Sequence, residues 1–112
     1  MTQAAGDLLQ DRLRAVRIRF IEILDERRSD LEHLRAQIEL QADSTNALRE
    51  TQFIAHKISG TASTLGFPEF GQLASNTEEI IIKHLSGTDF VPTIDETKQV
   101  IDDLLASAAK IG

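Results

Sequence analysis

Residues 47–65 read ALRETQFIAHKISGTASTL, and their spacing decides the fold. Ala47, Thr51, Ile54, Ile58, Ala62 and Leu65 recur at three- and four-residue steps. At about 100° per residue, these steps align them on one face of a helix. Asp43 or Ser44 stands where an N-cap belongs; Gly66 stands where a helix ends, with Pro68 two places later. On the same wheel His56 points about 150° from the centre of the apolar stripe, which predicts an imidazole in solvent at mid-helix. Gln52 and Phe53 lie one turn before it, and Ser59, Gly60 and Ser63 follow on that face. The small residues leave the ring sterically open.

The same periodicity extends outward in both directions. Leu13, Val16, Phe20, Ile23, Leu24, Leu31, Leu34 and Ile38 predict one long amphipathic segment. Ser29-x-x-Glu32 matches a capping box and offers a competing break. One continuous helix is preferred because the stripe keeps its phase from Leu24 to Leu31, with Arg27 snorkelling. Pro68 suits the first turn of a third helix, with Glu69 at its positive end, burying Phe70, Leu73, Ala74, Thr77, Ile80, Ile81 and Leu85. A loop is expected from Ser86 to Pro92. Thr93-x-x-Glu96 then reads as a capping box for a fourth helix that turns Ile94, Thr97, Ile101, Leu104, Leu105, Ala108 and Ile111 inward. No strand pattern is convincing. The expected fold is all-α: an antiparallel up-down four-helix bundle, with room for a short extra N-terminal helix around Asp7–Arg14.

Composition narrows the function classes. The chain has 112 residues, one domain by length, with 41% hydrophobic and 27% charged residues. A domain of this size buries roughly 65% of its unfolded-chain surface and needs no staples. With no Cys, disulfides and thiolate metal sites are excluded. The net charge of −6 gives no basic excess for a nucleic-acid duplex, and no Tyr or Trp is present to stack on bases. Residues 42–112 hold five basic and ten acidic groups, so most of the net negative charge lies there. The N-terminus lacks a basic start and an apolar core, and Ile80-Ile81-Ile82 is too short to span a bilayer. The expectation is a cytoplasmic protein with no membrane or nucleic-acid partner.

Each candidate site residue carries a plainer reading. A mid-helix glycine costs about 1 kcal/mol relative to Ala. Gly60 therefore either lets a partner approach beside His56 or ends the helix, although Thr61, Ala62 and Leu65 keep the stripe in phase beyond it. Phe53 suits a docking surface or the flank of the core. His33, among Asp30, Glu32 and Arg35, reads as part of a solvated face. His84 reads as a side chain interacting with a helix C-terminus. The chain has neither H-x-x-x-H nor E-x-x-H, so no metal site is expected in the bundle core. It also lacks G-x-x-x-x-G-K-[ST], G-x-G-x-x-G and G-x-S-x-G, and His56 has no carboxylate partner evident from spacing. Hydrolytic chemistry has little support.

Ala55-His56-Lys57-Ile58-Ser59-Gly60-Thr61-Ala62, then Leu65-Gly66, then Phe70-x-x-Leu73-Ala74, resembles the histidine-containing phosphotransfer (HPt) domain. That family shows A-H-x-L-K-G-x-A, L-G and L-x-x-L-A in the two central helices of a four-helix bundle. The resemblance implies a single HPt-like domain over residues 1–112, with a core bundle at about 17–108. It implies that His56 accepts a phosphoryl group from a receiver-domain aspartate and passes it to another receiver, without kinase activity of its own. Gly60 would give the receiver clearance. Response-regulator receivers, and a hybrid sensor kinase as a further candidate, would be the partners of a monomer. No cofactor is implied for this chain, the Mg²⁺ belonging to the receiver.

The family often has Lys three residues after the histidine; here that position is Ser59. Gln52, Ser59 and Ser63 are then candidate hydrogen-bond donors to the phosphoryl oxygens, with Lys57 or Arg49 as candidate sources of charge. Two alternatives stay open. One is a helical adaptor (a pseudo-HPt) that docks a receiver or kinase without carrying phosphate. The other is the dimeric phosphoacceptor fragment of a sensor kinase.

Overall fold

The computed structural model describes residues 2–87 and 91–111, and side chains from residue 6 onward. It contains four helices: α1 (Thr2–Leu40), α2 (Thr45–Thr64), α3 (Pro68–Ser86) and α4 (Ile94–Ala109). Each packs against its neighbours in the chain, and α1 closes the ring with α4. Among the described residues the diagonal pairs make no close backbone approach. This is the expected antiparallel up-down bundle. Its core is built from Phe20, Leu24, Leu31, Ala55, Ile58, Phe70 and Leu104 at one end and Leu34, Ile38, Leu48, Ile81 and Ile101 at the other.

The separate helix around Asp7–Arg14 does not exist: those residues belong to α1, which runs unbroken through Ser29 as well. At 1.5 Å per residue, the 39 residues of α1 reach about 58 Å, roughly twice the length of any other helix. The molecule measures 61 × 26 × 19 Å accordingly. The bundle ends where Arg17 Nε donates to the Leu65 carbonyl at 2.9 Å and the Phe20 and Phe67 rings stack 5.7 Å apart. Leu13 and Val16, expected in the core, lie beyond that end and are 43% and 49% exposed. Their stripe has the right phase, but no helix packs down onto it.

Helix termini follow local chemistry. Asp43, not Ser44, does the side-chain work at the start of α2: its Oδ1 accepts the Thr45 backbone N–H at 3.0 Å and hydroxyl at 2.7 Å. Gly66 takes φ +95° after α2, a left-handed conformation that a side chain would strain, and the Phe67 N–H returns to the Ala62 carbonyl. Thr93 caps α4 by accepting the Glu96 N–H at 3.0 Å. Of the expected 86–92 loop, Ser86 closes α3 and Gly87 follows it in the left-handed region. Thr88, Asp89 and Phe90 lie outside the described residues.

Three threonines are wholly buried, one each on α2, α3 and α4. Thr51, Thr77 and Thr97 each donate to the carbonyl four residues earlier at 2.8 Å, so burial leaves no hydroxyl unsatisfied. Across the α1–α4 seam, Arg35 forks onto Asp102 at 2.8 and 3.3 Å. Glu39 accepts from both Arg35 and Lys98.

Candidate functional site: His56 between α2 and α3

The α2 face toward the core is Ala47, Leu48, Thr51, Ala55, Ile58 and Ala62, rotated slightly from expectation to include Leu48 and Ala55, while Ile54 and Leu65 are half-buried. His56 follows Ala55 and stands outward with its side chain 66% exposed. One side of the ring is nevertheless held. Nδ1 lies 2.9 Å from Glu78 Oε2 and 3.1 Å from Oε1, and Glu78, on α3, is only 18% exposed. Gln52 Nε2 donates to the same Oε2 at 2.8 Å. A carboxylate can only accept here, so the neutral imidazole carries its proton on Nδ1 and presents the Nε2 lone pair to solvent.

This corrects the reading of His56 as lacking a carboxylate partner. Glu78 sits 22 residues further along on another helix, so no spacing within α2 announces it. Helical phase on α3 holds the available signal: Glu78 follows the buried Thr77 and lies one turn from buried Ala74 and Ile81.

Gly60 lies inside α2, so the helix does not end there. A Cβ built on it meets nothing within 4 Å, and intramolecular packing therefore gives no reason for the glycine. Gly71 on α3 is the opposite case. It is buried, and a Cβ there would overlap Ser63 Oγ and lie 3.1 Å from the Ser63 nitrogen and 3.3 Å from the Ser59 carbonyl oxygen. Gly71 thus sets the close approach of α3 to α2 beside His56, a role sequence reasoning missed.

The remaining site residues are deployed as follows. Ser59 is half-buried and donates its hydroxyl to the His56 carbonyl at 2.8 Å. Gln52 is engaged with Glu78, while Ser63 is exposed on the far side of Gly60. Lys57 Nζ lies 4.4 Å from the centroid of Phe53, which is 56% exposed and so outside the core. Arg49 joins Phe53 and His33 along the α1–α2 groove further from His56. His33 is exposed as expected, and His84, in the last turn of α3, donates from Nδ1 to the Pro92 carbonyl at 2.7 Å. Among the described residues, no group of three or more His, Cys, Asp or Glu could hold a metal ion.

A groove of about 750 Å³ opens between α1 and α2 next to this centre. Val16, Phe20 and Ile23 line its α1 side; His56, Lys57 and Gly60 line its α2 side. Arg19 and Arg27 also line it, so the missing Lys at position 59 does not leave the surroundings of His56 without cations.

The family model of the Hpt domain matches residues 5–107, and the chain belongs to that family. No curated protein and no solved structure matches the chain. Membership places the protein in the phosphorelay of two-component signalling, where Hpt domains interact with receiver domains and kinases. Among the described residues no helix is long and apolar enough to cross a membrane.

Proposed function

We propose that this protein is a phosphorelay intermediate in which His56 Nε2 accepts the phosphoryl group of a receiver aspartyl phosphate and returns it to another receiver. The observation that carries this reading is the Glu78–His56 pair: it holds the proton on Nδ1 and leaves Nε2 free on an exposed face. The Nε2 lone pair attacks phosphorus, the P–O bond to the aspartyl carboxylate breaks, and that carboxylate leaves. Nδ1 keeps its proton throughout, and Glu78 faces the positive ring that results. In the return step the P–N bond breaks and the ring departs as neutral imidazole, a good leaving group because the Nδ1–H never left. The chain is a carrier without kinase activity of its own, acting as a cytoplasmic monomer, and the divalent cation belongs to the receiver.

Incubation with receiver domains charged by acetyl phosphate tests this. Label moves to the wild-type protein and not to His56→Gln of unchanged helicity. A protein that binds charged receivers yet never becomes labelled is an adaptor. A stable dimer labelled only by a kinase catalytic domain is a sensor-kinase fragment.

A further inference from the structure

Before Arg17, the described apolar side chains of α1 are left exposed. Leu9, Leu13 and Val16 are 59%, 43% and 49% exposed, yet their helical phase is that of the buried Phe20, Leu24 and Leu31. The core stripe therefore continues past the end of the bundle as an apolar lane, and through Val16 and Phe20 it runs into the groove beside His56. Its borders are basic. At about 100° per residue Arg12 and Arg19 fall along one edge and Arg17 along the other, while Asp7, Asp11 and Glu22 fall on the back of the helix. Residues 2–20 hold four arginines and two aspartates, whereas the rest of the chain holds eight basic and sixteen acidic residues.

Resting on the relay reading above, we propose that this lane is a docking arm for the phosphoryl partner, which lays an amphipathic helix with carboxylate-bearing edges along α1 from Leu9 to Ile23. The lane already has one helix face and a two-helix groove in line with it, a shape that a third helix fills. Charge selects among occupants. In a pairing of two α1 helices, parallel or antiparallel, the flanking positions of one copy meet those of the other, and these are arginines. An anionic bilayer would meet Arg12 and Arg19, but it cannot enter the recess between α1 and α2 and would repel the acidic bundle. A helix with an acidic rim meets both the lane and its borders. Such an arm would raise the partner's residence beside His56 without touching the reacting atoms.

The test uses the receiver that takes label fastest from the wild-type protein, with each protein first charged on His56 by phosphoramidate. In Leu9→Gln/Leu13→Gln the half-saturating receiver concentration is expected to rise about tenfold or more, with the maximal transfer rate within about twofold. Transfer by the wild type is expected to fall as salt rises, and that dependence to flatten in Arg12→Glu/Arg19→Glu. Superimposable saturation curves for wild type and Leu9→Gln/Leu13→Gln would overturn the arm and leave the relay reading standing. Release of a wild-type dimer to monomer by that variant would assign the lane to a second copy. Variant-sensitive sedimentation with phosphatidylserine–phosphatidylcholine vesicles would assign it to a bilayer. Charging of His56 with transfer to no receiver would remove the relay reading and the arm together.

Discussion

Glu78 on α3 reaches across the bundle surface to His56 on α2, with 2.9 Å between Oε2 and Nδ1, and Gln52 holds the same carboxylate oxygen from the other side. The imidazole of this site is therefore oriented by a group on a different helix.

Replacing that carboxylate tests its role. Glu78→Gln keeps an acceptor oxygen but loses the charge, and hydrogen bonds to charged groups are worth about 1.5–3 kcal/mol against roughly 1 for neutral pairs. The rate of His56 labelling by phosphoramidate is expected to fall about tenfold, equivalent to about 1.4 kcal/mol on the barrier. Glu78→Ala should fall further and give mixed labelling at both ring nitrogens, read by ³¹P NMR. A labelling rate and a nitrogen preference unchanged in Glu78→Ala would show that the pair is incidental.

The two glycines beside the site should respond oppositely. Gly60→Ala adds a methyl to open space in mid-helix and is expected to stabilise by about 0.5–1 kcal/mol. Gly71→Ala drives a methyl into Ser63 and should cost about 1–3 kcal/mol. Chemical denaturation of both variants measures this directly. Gly60→Gln should remain folded and accept phosphate from phosphoramidate while slowing exchange with a receiver. Exchange at the wild-type rate would remove the clearance role.

Much of this was legible from the chain itself, for identifiable reasons. Capping and stop signals are local, so Asp43, Gly66, Pro68 and Thr93 located the helix ends correctly. Periodicity also placed His56 in solvent, because one face of α2 is plainly apolar. What it could not show is where neighbouring helices stop. Leu13 and Val16 have core phase but lie past the Arg17–Leu65 contact that ends the bundle. Contacts between helices were equally silent: Glu78 is 22 residues from His56, and Asp102 is 67 from Arg35. Gly71 looked unremarkable because its role depends on the backbone of another helix.

Acid should weaken the fold in a defined direction. Glu39 is held below the ordinary carboxylate range by its hydrogen bond from Arg35 and then by Lys98. Asp43 is lowered by the Thr45 hydroxyl and backbone N–H. Carboxylates depressed in the native state contribute stability that is full above the ordinary carboxylate range and is lost as pH falls through their lowered native values. Thermal midpoints should therefore be level at neutral pH and decline below about pH 4. The decline should be shallower in Glu39→Gln, which starts from a lower plateau. A midpoint that rises on acidification would contradict the assignment.

The central claim is that Nε2 of His56 carries the phosphoryl group. Phosphoramidate labelling followed by intact mass, peptide mapping and ³¹P NMR tests it without any partner. One acid-labile, base-stable phosphoryl group is expected, on Nε2 of His56 and absent from His56→Gln. Label on His33 or His84, label on Nδ1 of His56, or a folded protein that takes no label would contradict it.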